Sequence, residues 1–167
     1  TITVTAVTDT KVYDGNTTSA GVPTITAGSL AAGDTVTWTQ TFNNANVGVG
    51  KTLTPAGTVS DGNGGNNYTV TFVTDTTGVI TVRALTITAD AGQSKTYGNA
   101  DPVFTYQITT GALVGGDILS GTLSRVAGEN VGNYAITQGT LTAGANYTIT
   151  FVSNDFTITT RSSSVTP

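Results

Sequence analysis

Apolar and polar residues alternate along much of the chain. In the segment 67–73, Tyr68, Val70 and Phe72 are separated by threonines. Successive side chains of a β-strand point to opposite faces, so this alternation predicts strands with one apolar face and one threonine face. The same pattern predicts further core residues, which are Ile2 with Val4, Leu85 with Ile87, Tyr147 with Ile149 and Phe151, and Phe156 with Ile158. No segment has a helical period, and the segments 30–34 and 113–117 predict a single turn at most.

The second half of the chain repeats the first. The segment 11–16 (KVYDGN) matches 95–99 (KTYGN), and three further matches follow in the same order. These pair 28–34 with 111–117, 46–48 with 130–132, and 67–73 with 146–152. Collinear matches at a fixed period are typical of tandem structural units. We therefore predict two modules, 1–83 and 84–160, followed by a Ser-rich tail or linker, 161–167.

Composition supports an all-β fold for both modules. The chain is 37% hydrophobic and only 10% charged, with 21 glycines and no Cys or Met. Threonine and valine are branched at Cβ and suit pleated strands, whereas glycine and asparagine suit turns. We expect small β-sandwiches or β-grasp-like sheets, with the topology left open.

The junction between the modules has no flexible linker. The segment 79–88 (VITVRALTIT) contains no Gly, Pro or Ser, the residues that make linkers flexible. We therefore expect limited hinge motion and an end-to-end rod.

Charge and hydropathy exclude two classes of partner. The net charge is −4 with six Lys and Arg residues, too few and too scattered to neutralise phosphates, so nucleic acid is not expected. No run of 18 apolar residues is present, so membrane insertion is not expected either. Any export signal is expected outside this segment, and the chain is expected to be monomeric.

The chain lacks the residues that most catalytic and metal sites need. It has no His and no Cys, which excludes nucleophilic triads and His- or Cys-ligated zinc. Most of its acidic residues, including Asp14 in Tyr13-Asp14-Gly15, lie beside Gly or Asn in predicted turns. We predict no catalytic residue, no cofactor-binding residue and no enzyme activity.

One segment has oxygen donors at spacings that a calcium loop uses. Asp61, Asn63 and Asn66 are these candidate ligands. Gly65 replaces a ligand of the EF-hand pattern, and Phe72 stands where its bidentate Glu belongs, so a Gly-rich hairpin is favoured. Calcium is kept as the alternative.

A covalent crosslink is a second hypothesis. Lys11, Lys95 and Glu129 would be the participants in an isopeptide bond between a lysine and an Asn or Asp side chain beside a buried acid. The first module has no Glu, so solvated lysines are the preferred interpretation.

Trp38 is the candidate for glycan binding. Its flat ring, with Tyr13 and Tyr97 at matching positions of the two modules, would form a platform for stacking sugars. A lone Trp in a small β module is more often a core residue, and this alternative is favoured.

The motifs resemble two repeat families. The segment 11–18 (KVYDGNTT) resembles the bacterial YDG repeat, named for its Tyr-Asp-Gly triplet. The second module is similar to the MBG repeat of large bacterial surface proteins, through 95–102, 115–117, 128–134 and 146–149. The resemblance implies a fragment of a filamentous-haemagglutinin-like or biofilm-matrix adhesin, exported and held at the cell surface, and carries over no catalytic or ligand residue.

The expected function is that of a non-catalytic stalk. As a spacer in an extracellular bacterial adhesin, the chain would project a separate adhesive region and support cell adhesion or biofilm formation. Its partners would be the neighbouring repeats of the same polypeptide. The alternative is a lectin-like module that binds matrix exopolysaccharide through Trp38.

Overall fold

The computed structural model describes residues 1–163 and is all-β, which confirms the predicted fold class. Residues 164–167 of the predicted tail lie outside the described residues. The chain divides into two compact units, Thr1–Val82 and a second unit that begins at Arg83. The predicted boundary between 83 and 84 differs from this division by one residue. No helix that could cross a membrane is found within residues 1–163.

Within the described residues 1–163, each unit contains seven strands. In the first unit these are β1 (Ile2–Thr5), β2 (Thr10–Val12), β3 (Thr24–Ala27), β4 (Thr35–Phe42), β5 (Gly48–Ser60), β6 (Val70–Val73) and β7 (Asp75–Thr81). In the second unit they are β8 (Arg83–Ala89), β9 (Ser94–Thr96), β10 (Tyr106–Thr110), β11 (Ser124–Arg125), β12 (Gly132–Thr137), β13 (Tyr147–Val152) and β14 (Asp155–Thr159).

The two units have the same topology. The first forms a three-stranded sheet, β3-β1-β6, and a four-stranded sheet, β2-β7-β5-β4. The second forms β10-β8-β13 and β9-β14-β12-β11. Each strand of the second unit thus takes the place of the strand numbered seven lower in the first. The internal sequence repeat therefore corresponds to a repeated architecture.

The first two strands of each unit run parallel to the last two, with one such pair in each sheet. In the first unit β1 pairs with β6, and β2 then pairs with β7 in the other sheet. The backbone bonds from Ala6 N to Val73 O and from Val79 N to Asp9 O, both 2.9 Å, continue this pairing across the sheet change. In the second unit β8 pairs with β13 and β9 with β14 in the same way.

The predicted core residues are buried in most cases. Ile2, Val4, Leu85, Ile87, Tyr147, Phe156 and Ile158 are buried, and Ile149 and Phe151 pack against the second core. Tyr68 and Val70 likewise pack against the first core. The prediction is wrong for Phe72, which is 40% exposed. Phe72 keeps an edge-on contact with Trp38, but part of its side chain is left uncovered, whereas the equivalent Phe151 packs against the second core.

The two segments with predicted turns each contain one. The amide of Asp34 donates to the carbonyl of Ala31 at 3.2 Å, and that of Asp117 donates to Val114 at 3.0 Å. Both carboxylates accept a hydrogen bond from the tyrosine that opens the matching strand segment, at 2.5 Å from Tyr68 and at 2.7 Å from Tyr147. These tyrosines therefore fix equivalent turns against the two cores.

Candidate functional site

A lysine on the second strand of each unit is enclosed by acceptors. Lys11 on β2 pairs with Ile80, and Lys95 on β9 pairs with Ile158, so the two lysines are structurally equivalent. The Lys11 ammonium donates to Asp14 Oδ1 at 2.8 Å and to the carbonyls of Asn16 and Thr18 at 2.8 and 2.9 Å. The turn after β2 therefore wraps around its own lysine.

Lys95 is held instead by two carboxylates, one from the loop that follows β9 and one from a distant segment. Its ammonium lies 2.7 Å from Asp101 Oδ1 and 2.5 Å from Glu129 Oε2. The guanidinium of Arg125 contacts Asp101 at 2.7 and 3.0 Å and Glu129 at 2.6 Å. Two cations and two anions thus alternate in a closed network. The preference for solvated lysines is wrong, since the Lys95 side chain is only 5% exposed.

Aromatic rings cover the buried side of this network. The Arg125 guanidinium carbon lies 5.1 Å from the ring centre of Tyr134 and 5.3 Å from that of Phe156. Its Nη1 also donates to the Gly128 carbonyl at 2.6 Å. Cation–π contacts are stronger where the cation is desolvated, so the rings and the carboxylates together favour a fixed, charged guanidinium.

Each ion pair favours the charged form of its members. The hydrogen bond from Arg125 lowers the pKa of Asp101, and the one from Lys95 lowers the pKa of Glu129. The hydrogen bonds to Asp101 raise the pKa of Lys95 and of Arg125. All four groups are therefore charged at neutral pH.

This charge state bears on the crosslink hypothesis. The structure brings Lys95 and Glu129 together, but attack on a carboxyl group requires a neutral amine with a free lone pair. A protonated Lys95 beside two ionised carboxylates has neither the nucleophile nor an activated acceptor. The geometry favours an ion-pair network over an isopeptide bond.

An open groove lies beside the network. It has a volume of ≈ 430 Å³ and is lined by residues of the segments 101–104, 122–125 and 127–129. Leu123 is buried, and Phe104 packs edge-on against Phe156 with ring centres 5.1 Å apart. Val103 is 82% exposed at the rim. The lining of the groove therefore combines apolar side chains with the charged groups of Asp101, Arg125 and Glu129.

Family models match the two units separately. The model described as "YDG domain" matches residues 1–78, and the model described as "MBG domain (YGX type)" matches residues 85–157. The chain is a YDG domain followed by an MBG domain. No match was found among curated proteins or among solved structures.

The family assignment supports a coarse functional statement. YDG and MBG domains are consistent with a surface-associated repeat, and neither is a known enzyme family. Among residues 1–163, no group of three or more His, Cys, Asp or Glu side chains is placed to hold a metal ion.

The candidate calcium ligands lie in the loop of the YDG domain between β5 and β6. This loop joins two different sheets, so it is not the hairpin that the sequence favoured. Asp61 accepts bonds from the amides of Asn63 and Gly65 at 2.8 Å and of Asn67 at 3.0 Å. The hydrogen bond from the Gly65 amide makes the largest contribution to lowering the pKa of Asp61. The carboxylate closes the loop, and calcium binding by Asp61, Asn63 and Asn66 stays a prediction.

Trp38 lies in the core of the YDG domain. It is 8% exposed, clusters with Ile2, Val4 and Val59, and meets the ring of Phe72 edge-on at 5.8 Å. Opposite it on β5, a Cβ added to Gly57 would lie 2.7 Å from the indole Cε3, so glycine makes room for the ring.

The burial of Trp38 favours its packing role, and glycan stacking on it stays a prediction. Tyr13 and Tyr97 differ in exposure, since Tyr13 is buried and Tyr97 is 47% exposed.

Sequence analysis missed Asp101 and Arg125 as members of the network. A signal existed, because only 16 residues of the chain are charged (6 basic and 10 acidic) and four of them meet here. Two of the four ion pairs, Asp101 with Arg125 and Lys95 with Glu129, join residues 24 and 34 positions apart, so spacing alone does not predict the network.

Proposed function

We propose that the chain is a non-catalytic stalk segment of an extracellular bacterial adhesin that carries tension between the cell and a separate adhesive region. The observation that carries the proposal is the parallel pairing of the first two strands with the last two in both domains. The membership of the chain in two repeat families consistent with surface-associated proteins supports it.

Parallel terminal strands determine how a domain responds to stretching. In the YDG domain, Ile2 lies opposite Val70 at one end of the pair and Val12 lies opposite Thr81 at the other. A pull on the two ends of the domain slides these strands past each other. Every ladder bond is then strained together, whereas an antiparallel hairpin pulled from its open end loses its bonds one by one. The same argument holds for β8 and β9 with β13 and β14.

The proposal is tested by single-molecule force spectroscopy on the full chain. Because the chain has no Cys, handles can be attached at introduced cysteines without competition. One variant has handles at the two ends of the chain. A matched variant, Thr35→Cys with Ser60→Cys, is pulled across directly paired residues of the antiparallel β4–β5 ladder.

We expect a several-fold higher unfolding force in the end-to-end geometry. Both handle positions of the control are exposed, so the substitutions do not disturb the core. Equal forces in the two geometries, or a lower force in the end-to-end geometry, would contradict a role in carrying tension.

Location requires a separate measurement. The stalk is proposed to act as a monomer within one polypeptide, with neighbouring repeats as its partners. An antibody raised against the folded chain should label intact cells of the bacterium that encodes it and should not require permeabilisation. Labelling only after permeabilisation would contradict an extracellular position.

A further inference from the structure

The groove of the MBG domain lies along a sheet edge. Ser120, Thr122 and Val126 form hydrogen bonds with the segment 135–142, through Thr142 O, Thr140 N and Ala135 O respectively. Backbone groups in an antiparallel ladder point alternately to the two sides. The backbone N–H and C=O of Leu123 and Arg125 therefore point away from β12, towards the groove.

The YDG domain shows what occupies the equivalent edge. There the segment that follows the Lys11 turn returns to β4, with an isolated antiparallel bridge between Thr18 and Thr41. The amide of Phe42 donates to the carbonyl of Thr17 at 2.9 Å. An extended, uncharged Thr-Thr-Ser segment thus covers the edge of that sheet.

The MBG domain holds the corresponding segment away from the edge. The match of 11–16 with 95–99 pairs Asn16 with Asn99, so Asp101 and Pro102 correspond to Thr18 and Ser19. The Asp101 carboxylate binds the Arg125 side chain in a bidentate pair, and among the described residues no backbone bridge joins 101–104 to 122–125. The space that this leaves is the groove.

The chemistry of the groove indicates the kind of partner. The charges of Lys95, Arg125, Asp101 and Glu129 cancel one another in the network, so the groove offers no net charge to a ligand. The outward backbone groups offer strand pairing, and the rim offers an exposed apolar side chain in Val103. Such an edge suits an extended, uncharged segment with small or β-branched side chains.

We propose that the MBG domain binds an extended Thr- and Ser-rich segment of another polypeptide in this groove, as an added strand along 122–125. The bound segment takes the position that residues 17–19 take in the YDG domain. Affinity comes from the main-chain bonds, and selectivity comes from the exclusion of charged and bulky side chains by the groove.

The test uses a synthetic peptide that copies residues 15–22 (GNTTSAGV) as the probe and the full isotope-labelled chain as the receptor. Amide NMR shifts are followed as the peptide is added. We expect saturable shifts in the millimolar range, largest at Leu123 and Arg125, and none at β4 of the YDG domain. The same peptide N-methylated at alternate residues cannot form the ladder and should cause no such shifts.

Two protein variants define the site. Ala127 lines the groove and is exposed, so Ala127→Tyr fills the groove while removing no hydrogen bond, and we expect affinity to fall about tenfold or more. Ala145→Tyr places the same ring at an exposed position outside the groove and should bind like the parent chain. Unchanged amide spectra elsewhere in both variants show that the fold is intact.

Several outcomes would overturn the proposal. These are the absence of shifts, shifts outside the groove, equal binding of the N-methylated peptide, or full binding by Ala127→Tyr. Shifts at the groove with a neutral oligosaccharide but not with the peptide would assign it to sugars instead. None of these results bears on the response to tension, so this inference and the proposed function fail separately.

Discussion

The YDG and MBG domains fill the same place in their cores from different strands. In the YDG domain, Gly78 on β7 lies two residues before Ile80, the partner of Lys11. The ring of Phe42 on β4 lies over Gly78. In the MBG domain the position equivalent to Gly78 is Phe156 on β14, and Arg125 on β11 lies over that ring. The ring moves from one strand to another while the strand order stays the same.

The comparison shows that the fold requires the packed volume at this place and not a particular residue. Both domains also place a cation over the ring, since Lys11 lies 5.3 Å from the ring centre of Phe42 and Arg125 lies 5.3 Å from that of Phe156. Because large and small residues face each other there, substitutions must occur in pairs to preserve packing.

The largest expected effect is that of Phe156→Ala. Phe156 is fully buried, and loss of a buried ring costs about 3–5 kcal/mol of unfolding free energy. Hydrogen exchange read by mass spectrometry should show the loss in the MBG domain only. Trp38, the one tryptophan of the chain, reports the YDG domain. A matching shift of its fluorescence transition would show that the two cores are not independent.

Gly78→Ala is expected to destabilise the YDG domain by about 1–3 kcal/mol through overpacking. The new Cβ would lie 2.9 Å from the Lys51 carbonyl oxygen and 3.0 Å from Phe42 Cε1. Urea unfolding followed by Trp38 fluorescence measures the change. Gly48→Ala is the control, because its Cβ would meet only the Lys51 Cδ at 3.6 Å. Equal destabilisation by both substitutions would contradict the packing argument.

The pH dependence of stability in acid should distinguish the ion-pair network of the MBG domain from the lysine turn of the YDG domain. The pKa values of Asp101 and Glu129 are lowered in the folded state. As the pH falls, these two groups therefore bind protons in the unfolded MBG domain before they do so in the folded one. Their contribution is present above about pH 4.5 and is lost as pH falls through the lower folded-state values. Asp101→Asn with Glu129→Gln should flatten the acid profile of the MBG domain in hydrogen exchange.

The matched YDG substitution is Asp14→Asn. Burial raises the Asp14 pKa, but the bonds from Lys11 and the Asn16 amide outweigh it and lower the pKa. This substitution should change the acid profile of the YDG domain alone. An MBG profile unchanged by the double substitution would contradict a role of the network in stability.

The smallest effects are expected at two equivalent hydroxyl pairs. Thr5 and Thr26 in the YDG domain, and Thr88 and Thr109 in the MBG domain, bond across antiparallel strands at 2.8 and 2.9 Å. Thr5→Val and Thr88→Val should each change stability by about 0.5 kcal/mol or less, because the pairs face solvent. Thermal unfolding measures both, and clearly unequal values would weaken the equivalence of the two sheets.

Sequence alternation correctly predicted the buried residues of the central strands. Ile2 with Val4 and Leu85 with Ile87 lie on central strands, so alternation and burial agree. It failed for Phe72, because alternation identifies the face on which a side chain lies but not how completely neighbouring elements cover that face. Parallel pairing of the first two strands with the last two could not be predicted either, since it joins residues about 70 apart that share no local signal.

The charged network was the part of the molecule that the sequence predicted least well. The repeat placed Lys11 and Lys95 at equivalent positions, but their partners differ completely. Lys11 is bound by its own turn, whereas Lys95 depends on Glu129, 34 residues away. A pattern of residue types predicts a lysine's strand position and not which distant carboxylate folding brings to it.

Enclosure of the basic side chains also affects proteolysis. The chain has six Lys and Arg residues. Four of them are buried or nearly so, which are Lys11, Lys51, Lys95 and Arg125. A trypsin-like protease must draw such a side chain into its specificity pocket. Of the six basic residues only Arg161 is exposed, since Arg83 is half-buried. Cleavage after Arg161 would leave both domains whole, so a digestive enzyme of this class would spare their folds.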